Sequence, residues 1–223
     1  MKVTIIRDKG EHEVVNRETL TQVAGMIQKG WREKSVLHLR GLYHLITVER
    51  QEDGRVKTNL KGGIMLERIC FASEFDNYRG ERRQLGYNGL VVLEKNGLET
   101  YEQAVEIRNK VSRMPQTLLA FLGASGKSVK IVVRGELFAD SQVPATAEHL
   151  PTEEADIRQF HHNIYETARL AYQSQFGLEM EYLEPCLDRT VYMSADPETF
   201  QSVCCCWWMS TSTLLGTLSG SIL

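Results

Sequence analysis

Gly89-Leu-Val-Val-Leu-Glu94 is the stretch that decides the fold, because a run of apolar residues ends at a carboxylate and is followed by Lys95 and Asn96. The apolar run predicts a strand. Polar groups occur again a little further on, beside the glycine-bearing turn Ser125-Gly-Lys127. In domains that mix helices and strands, polar residues at strand ends and glycine turns are common positions for phosphate and metal chemistry.

A regular order of elements follows this strand. Thr100, with Gln103 three residues later, predicts a capped helix that Pro115 ends. Residues 117–122 and 128–133 are apolar and rich in β-forming residues, and the glycine turn between them predicts an antiparallel pair of strands.

A second, longer helix is predicted over 153–176. Thr152 is its candidate cap, and Gly177 is expected to end it. The segment Thr190–Met193 then supplies a last short strand. The order β-α-β-β-α-β predicts an α+β fold with a ferredoxin-like split βαβ core, which places both helices on one face of the sheet and leaves the other face open for nucleotides or RNA.

The residues before this core form a predicted extension. Lys2–Arg7 and His12–Val15 flank Gly10 and read as a β-hairpin at a sheet edge. Asn16 is the predicted cap of the helix that follows, and Gly30 is its predicted end. The polar stretch Gln51–Gly63 is predicted to be an exposed loop.

The chain of 223 residues has 42% hydrophobic and 25% charged residues and a net charge of -3, which is the composition of an ordinary globular protein. We expect a single domain over 1–200, with its core at about 86–196 and an N-terminal extension over 1–85. The uncharged tail 201–223 is interpreted as a truncated or frame-shifted end. The net charge indicates that any nucleic acid would bind a local basic face.

Neither end of the chain predicts a membrane segment, since the N-terminal apolar run is short and the tail is interrupted by Ser, Thr and Gly. The five cysteines show no metal-binding spacing and no disulfide framework. We therefore expect a cytoplasmic protein in a reducing compartment.

Strand alternation predicts which side chains share a face. Glu94 and Asn96 point the same way if the strand continues that far, and so do Lys130 and Arg134. The turn Ser125-Gly-Lys127 is not a Walker A motif, because the glycine that should precede it is Phe121 and because a strand, not a helix, follows. A backbone nest with a lysine near a phosphate is the interpretation that remains.

Together these segments carry a resemblance. The strand with Leu-Glu-Lys-Asn, the stretch Phe121-Leu-Gly-Ala-Ser-Gly-Lys-Ser-Val-Lys130 and the segment Leu187-Asp-Arg-Thr-Val-Tyr-Met-Ser-Ala-Asp-Pro197 resemble the VirE-type N-terminal domain of mobile-element proteins from gut bacteria. Those domains are similar to the primase-polymerase core of the archaeo-eukaryotic primase superfamily. The resemblance covers roughly residues 1 to 200.

The resemblance implies nucleotidyl transfer with two divalent ions, Mg²⁺ or Mn²⁺, held by clustered acids. Carried over to this chain, the catalytic positions fall on Glu94, Asn96 and Asp188, of which Glu94 and Asp188 would ligate metal. The resemblance places the triphosphate on the following residues: Ser125, Gly126, Lys127, Lys130 and Arg189.

Two substitutions change this expectation. Asn96 offers a neutral carbonyl where the superfamily has a carboxylate, so metal affinity should fall. Lys130 replaces the usual histidine and supplies a cation instead of a neutral base. We therefore expect a nucleotide- and nucleic-acid-binding domain with a degenerate metal site; the alternatives are an active nucleotidyltransferase and a protein-interaction module without a polynucleotide partner.

Basic residues outside the turn indicate where a polynucleotide would lie. Arg79, Arg82 and Arg83 are predicted to lie in a loop before the first core strand, and Arg134 follows Lys130 on the predicted hairpin. The expected partners are DNA or RNA, a nucleoside triphosphate and a helicase-like domain or protein. Tyr78 and Tyr87 are candidates for base stacking, although core packing is the interpretation favoured for both.

Overall fold

The computed structural model describes residues 1–10, 12–42, 46–50, 56–60, 65–138, 150–202 and 207–210. Four helices and thirteen strands lie in these ranges. In chain order they are β1 (Lys2–Lys9), β2 (His12–Thr19), α1 (Leu20–Gln28), α2 (Glu33–Gly41), β3 (Ile46–Arg50), β4 (Val56–Leu60), β5 (Arg68–Cys70), β6 (Ser73–Tyr78), β7 (Glu81–Tyr87), β8 (Leu90–Lys95), α3 (Tyr101–Val111), β9 (Thr117–Leu122), β10 (Val129–Phe138), α4 (Glu154–Phe176), β11 (Val191–Tyr192), β12 (Phe200–Gln201) and β13 (Trp207–Ser210).

The central sheet has the predicted split arrangement. Strand β10 lies between β8 and β9 and is antiparallel to both, so β8 and β9 are parallel and α3 connects them across β10. The register pairs Lys130 with Glu94 and Val132 with Val92. The predicted α+β class is confirmed, with helices α3 and α4 following β8 and β10.

The last strand of the predicted order forms, but in a different sheet. Strand β11 pairs with β5, because Val191 buries beside Ile69 in the second core. The segment after α4 lies next to β8 instead, where the Glu181 amide donates to the Glu94 carbonyl at 3.0 Å. On the other side, β12 pairs with β9, and β13 pairs in parallel with the end of β10.

Both faces of the central sheet are covered. Alternate residues Val91, Leu93 and Ile131 pack against α3 and α4, as predicted. The intervening residues, such as Val92 and Val132, pack under the N-terminal hairpin and α1.

The expectation of an open second face is therefore wrong. The covering elements have their own apolar stripes, formed by Val3 and Ile5 of β1 and by Val23 and Ile27 of α1, and these stripes need a surface to bury against. The hairpin forms as predicted, and β2 is the edge strand of the four-stranded sheet β11-β5-β1-β2.

The observed first residues of two helices differ from the predicted ones. Thr19, not Asn16, caps α1 through a capping box with Gln22, since Asn16 is paired with Ile5 inside the hairpin. Glu153, not Thr152, is the first residue before α4, and it makes no side-chain cap. Gly177 ends α4 at a φ of 62°, as predicted.

Two hairpins lie outside the predicted core. Part of the stretch predicted as a loop, Val56–Leu60, pairs with Ile46–Arg50, while 51–55 and 61–63 lie outside the described residues. Strands β6 and β7 form a second hairpin just before β8. No helix within the described ranges has the length and apolar character needed to cross a membrane. The cysteines at 204–206 lie outside those ranges.

Candidate functional site

A buried charge cluster lies at the end of β8. Glu94 is only 7% exposed, and its Oε2 accepts a hydrogen bond from the ammonium of Lys130, which is directly opposite on β10. The same ammonium donates to Asn96 Oδ1 at 2.9 Å. Because Asn96 is two residues beyond Glu94, it points to the same face, as strand alternation predicts.

Two further residues from the segment after α4 complete this cluster. Arg189 Nη2 lies 3.3 Å from Glu94 Oε1. Asn96 Nδ2 donates to Glu94 Oε2 at 3.0 Å and to Glu181 Oε2 at 2.6 Å. Glu181 is a member that the sequence analysis missed, because nothing in the sequence indicates that this irregular segment joins β8. With Glu94, Asn96, Lys130, Glu181 and Arg189, the cluster holds two acids and two cations.

The electrostatics of the cluster keep Glu94 ionised. Burial by itself raises the pKa of this carboxyl group, but the charges of Lys130 and Arg189 and the hydrogen bonds from Lys130 and Asn96 outweigh burial and lower the pKa to about 2. Glu94 is thus a fixed negative charge neutralised by two cations of the chain.

Asp188 is not part of this cluster. It is exposed, and it lies near Cys70 of β5, whose pKa is raised to about 12 chiefly by burial and also by this carboxylate. Within the described part of the chain, no group of three or more His, Cys, Asp or Glu residues is arranged to hold a metal ion. Glu94 and Asp188 are therefore not brought together as the resemblance implied.

The arrangement does not fit a divalent ion at Glu94 and Asn96. The two oxygen atoms that would face such an ion, Glu94 Oε2 and Asn96 Oδ1, both accept hydrogen bonds from the Lys130 ammonium. A cation of the chain therefore occupies the position that the resemblance assigns to a metal. A divalent ion would have to displace Lys130 and would meet one carboxylate and one amide, which is a weak ligand set for Mg²⁺.

The predicted turn between β9 and β10 forms next to this cluster. Gly126 has a φ of 72° and donates to the Gly123 carbonyl at 2.9 Å, and the Lys127 amide donates to Ser125 Oγ at 3.2 Å. The Lys127 carbonyl accepts from the Leu98 amide at 3.1 Å, which ties the turn to the segment before α3.

Glycines let this turn approach two different groups. A Cβ at Gly123 would lie 2.1 Å from Ser128 Oγ and 3.2 Å from Lys130 Cε, so a side chain there would collide beside the charge cluster. A Cβ at Gly126 would lie 3.1 Å from Arg40 Nε and 3.3 Å from Tyr101 Cδ2. The turn therefore lies between Lys130 on one side and the Arg40–Tyr101 pair on the other.

The predicted basic residues are placed on the β6–β7 hairpin, not in a loop. Arg79 has a φ of 54° and Gly80 of 88°, which are the two positive values of a type I′ turn. Arg82 pairs with Glu13 at 3.2 Å, and Arg83 pairs with Asp76 at 2.6 Å. The base of this hairpin precedes the start of β8, whereas the charge cluster lies at the end of β8.

The two candidate stacking tyrosines differ in exposure. Tyr78 is 49% exposed, so the favoured interpretation as a core residue is wrong; the guanidinium groups of Arg79 and Arg83 lie 5.1 and 4.8 Å from its ring centroid. Tyr87 packs edge-on against Phe160, as expected for a core residue.

Arg134 is also separated from the cluster. It lies opposite Leu90, at the other end of the paired region from Lys130 and Glu94. At about 3.3 Å per residue, the four-residue separation from Lys130 places Arg134 about 13 Å along β10. Arg134 and Lys130 share a face, as predicted, but not a site.

Residues 64–200 match the model of a family described as BT4734-like, N-terminal domain, which is more than half of the chain. The chain belongs to this family. The BT4734-like region contains every residue of the charge cluster and the glycine turn, but it begins after β1, β2, α1 and α2. No curated protein and no solved structure matches the chain.

Within the BT4734-like region, the Ser-Ala-Asp-Pro segment has a structural role. Asp196 is 1% exposed and accepts from Arg108 Nη1 at 2.5 Å and from the Leu122 amide at 2.9 Å. Arg108 is equally buried and also pairs with Glu198. This network fixes the segment before β12 against α3 and the end of β9.

Proposed function

We propose that this domain is a nucleotide- and nucleic-acid-binding module of a bacterial mobile-element replication or mobilisation protein. In this proposal it is a VirE-type relative of the primase-polymerase fold in which an internal cation has replaced the catalytic metal. The observation that carries the proposal is the position of the Lys130 ammonium between Glu94 Oε2 and Asn96 Oδ1.

The energetics of this contact favour binding over nucleotidyl transfer. A divalent ion at Glu94 and Asn96 would have to displace the Lys130 ammonium from both oxygen atoms. The ammonium would lose these two hydrogen bonds, and the ion would gain one carboxylate and one amide as ligands at this position. Two-metal catalysis needs both ions in place, so an active nucleotidyltransferase is the less favoured function.

The phosphate contacts of the proposed module come from cations around the turn. Lys127 lies in the turn, Lys130 lies beside it, and Arg189 approaches from the segment before β11. A charged nitrogen that donates to phosphate forms a stronger hydrogen bond than a neutral donor. The cluster supplies such donors without a bound metal.

A polynucleotide would contact a second surface, the β6–β7 hairpin. Arg79 and Tyr78 at its tip combine a cation with an exposed aromatic ring, which suits a single strand of DNA or RNA. In this proposal the protein acts in the cytoplasm together with a helicase-like domain or protein.

Isothermal calorimetry on the full chain tests the nucleotide part of the proposal. We expect a non-hydrolysable deoxynucleoside triphosphate to bind in EDTA, and neither Mg²⁺ nor Mn²⁺ to be required. Lys130→Met should weaken that binding, while Asp188→Ala should leave it unchanged.

Two other outcomes would support the other candidate functions. Binding that requires metal and is abolished by Asp188→Ala would favour the active nucleotidyltransferase and would justify a primer-synthesis assay. Absence of any nucleotide or polynucleotide binding would leave a protein-interaction module.

Fluorescence anisotropy with a labelled single-stranded oligonucleotide tests the hairpin. Arg79→Ala should weaken binding and reduce its salt dependence, because one phosphate contact is lost. Arg158→Ala is the matched control, since Arg158 is an exposed arginine on α4 that pairs with Glu154 at 2.7 Å. Equal loss in both variants would show that only the total charge matters.

A further inference from the structure

Tyr101 lines two cavities, and its ring lies beside Gly126 of the glycine turn. The larger, about 710 Å³, lies along the first turns of α3 and has Val105 and Pro197 in its wall. The smaller, about 250 Å³, lies towards α2 and is lined by Arg40 and Lys29. The larger volume falls within the usual range for small-molecule sites.

The ring of Tyr101 is exposed enough for a flat ligand to stack on it. It is the first residue of α3 and is 41% exposed, although it is large and apolar. The Arg40 guanidinium lies over one face of the ring, 5.5 Å from its centroid, and donates to the Ala124 and Ala195 carbonyls at 3.3 and 2.9 Å. A flat ligand would therefore stack on the other face of Tyr101.

The two cavities together form a groove along Tyr101, and the charged residues differ between its two ends. The smaller cavity has two cations, Lys29 and Arg40, and one acid, Glu33, in its wall, and Arg40 also donates to the Ala124 carbonyl of the turn. The wall of the larger cavity is acidic, with Glu102, Glu106, Asp196, Glu198 and the amide of Asn109. Phosphates belong at the cationic end. Carboxylate and amide oxygens at the other end can accept hydrogen bonds from the exocyclic amino groups of adenine, cytosine or guanine.

We infer that the groove along Tyr101 is the nucleobase subsite of the nucleotide site, with Tyr101 as its stacking platform and the Ser125–Lys127 turn beside the phosphates. The inference rests on the proposed nucleotide binding and adds where the base lies. Gly126 is the connecting residue, because the absence of a Cβ lets the turn pack against both Arg40 and Tyr101.

The test compares two probes on the full chain in EDTA: deoxyadenosine triphosphate and inorganic tripolyphosphate. We expect the nucleotide to bind more tightly than tripolyphosphate. Tyr101→Leu should weaken nucleotide binding by about 5- to 100-fold and leave tripolyphosphate binding unchanged, because loss of an aromatic platform removes only base stacking. Tyr101→Phe should retain binding.

Tyr182→Leu is the control, since Tyr182 is another exposed tyrosine with an arginine, Arg169, over its ring. Circular dichroism verifies that each variant is folded. Equal affinity for the two probes, or equal weakening of both by Tyr101→Leu, would overturn the base subsite and leave phosphate binding intact. Failure of both probes to bind the wild-type chain would overturn the proposed function and the subsite together.

Discussion

Replacing Glu94 by Gln removes the one charge on which Lys130 and Arg189 converge. The pKa of Glu94 falls from its ordinary value of 4.5 to about 2 in the folded protein. At about 1.4 kcal/mol per pH unit, this lowering corresponds to about 3 kcal/mol of stability contributed by the ionised carboxylate at neutral pH.

The sign of the pH dependence follows from the direction of the shift. A carboxyl group whose pKa is lower in the folded than in the unfolded chain stabilises the fold above the unfolded pKa, and that stability is lost as the pH falls towards the folded pKa. The difference in unfolding free energy between wild type and Glu94→Gln should therefore be largest at pH 7. It should shrink between pH 4.5 and pH 2.

Urea denaturation followed by circular dichroism at pH 7 and pH 3 measures this difference. The comparison must be between variants, because Glu67 also has a pKa of about 2: hydrogen bonds from Arg32 and Arg7 outweigh its burial. Glu102→Gln, at an exposed position on α3, is the control. A difference that stays constant from pH 7 to pH 3 would refute the ion-paired description of Glu94.

Three further substitutions test a buried ion pair, the end of α4 and the cap of α1, each by urea denaturation at pH 7. Asp196→Ala leaves the buried Arg108 without its fully buried partner and should cost about 3–5 kcal/mol; a loss below 1 kcal/mol would contradict the network. Gly177→Ala places a Cβ at a φ of 62° and should cost about 1 kcal/mol, whereas no change would mean that the end of α4 relaxes. Thr19→Ala removes the capping box of α1 and should cost about 0.5–2 kcal/mol, and restoration by Thr19→Ser would separate capping from a packing defect.

The central sheet could be predicted from the sequence because its signals are local. The apolar run to Glu94, the cap at Thr100 and the glycine turn each specify one element, and their order specifies the split arrangement. Lys130 and Glu94 could be assigned to strands in the same way. Their direct pairing requires the register of β8 and β10, which depends on packing across the whole sheet.

The remaining parts of the site depend on contacts between residues distant in sequence. Glu181 joins β8 through the hydrogen bond from its backbone amide to the Glu94 carbonyl, which no pattern of alternation predicts. Arg40 reaches the turn from α2, more than 80 residues earlier, because Gly126 leaves room for it. The pairing of β11 with β5 is likewise decided by the second core and not by the two-residue strand itself.

The second core also bears on what can be tested as a unit. The family match covers 64–200, yet the face of the sheet that carries Val92 and Val132 is covered by Val3 and Ile27 from outside that range. A fragment limited to 64–200 would expose this apolar face on the same side of β8 as Glu94, since alternate residues share a face. Exposed apolar surface of that kind promotes association. If such a fragment failed to bind, the cause would be the loss of the N-terminal hairpin and α1 that cover this face. The binding experiments therefore need the full chain.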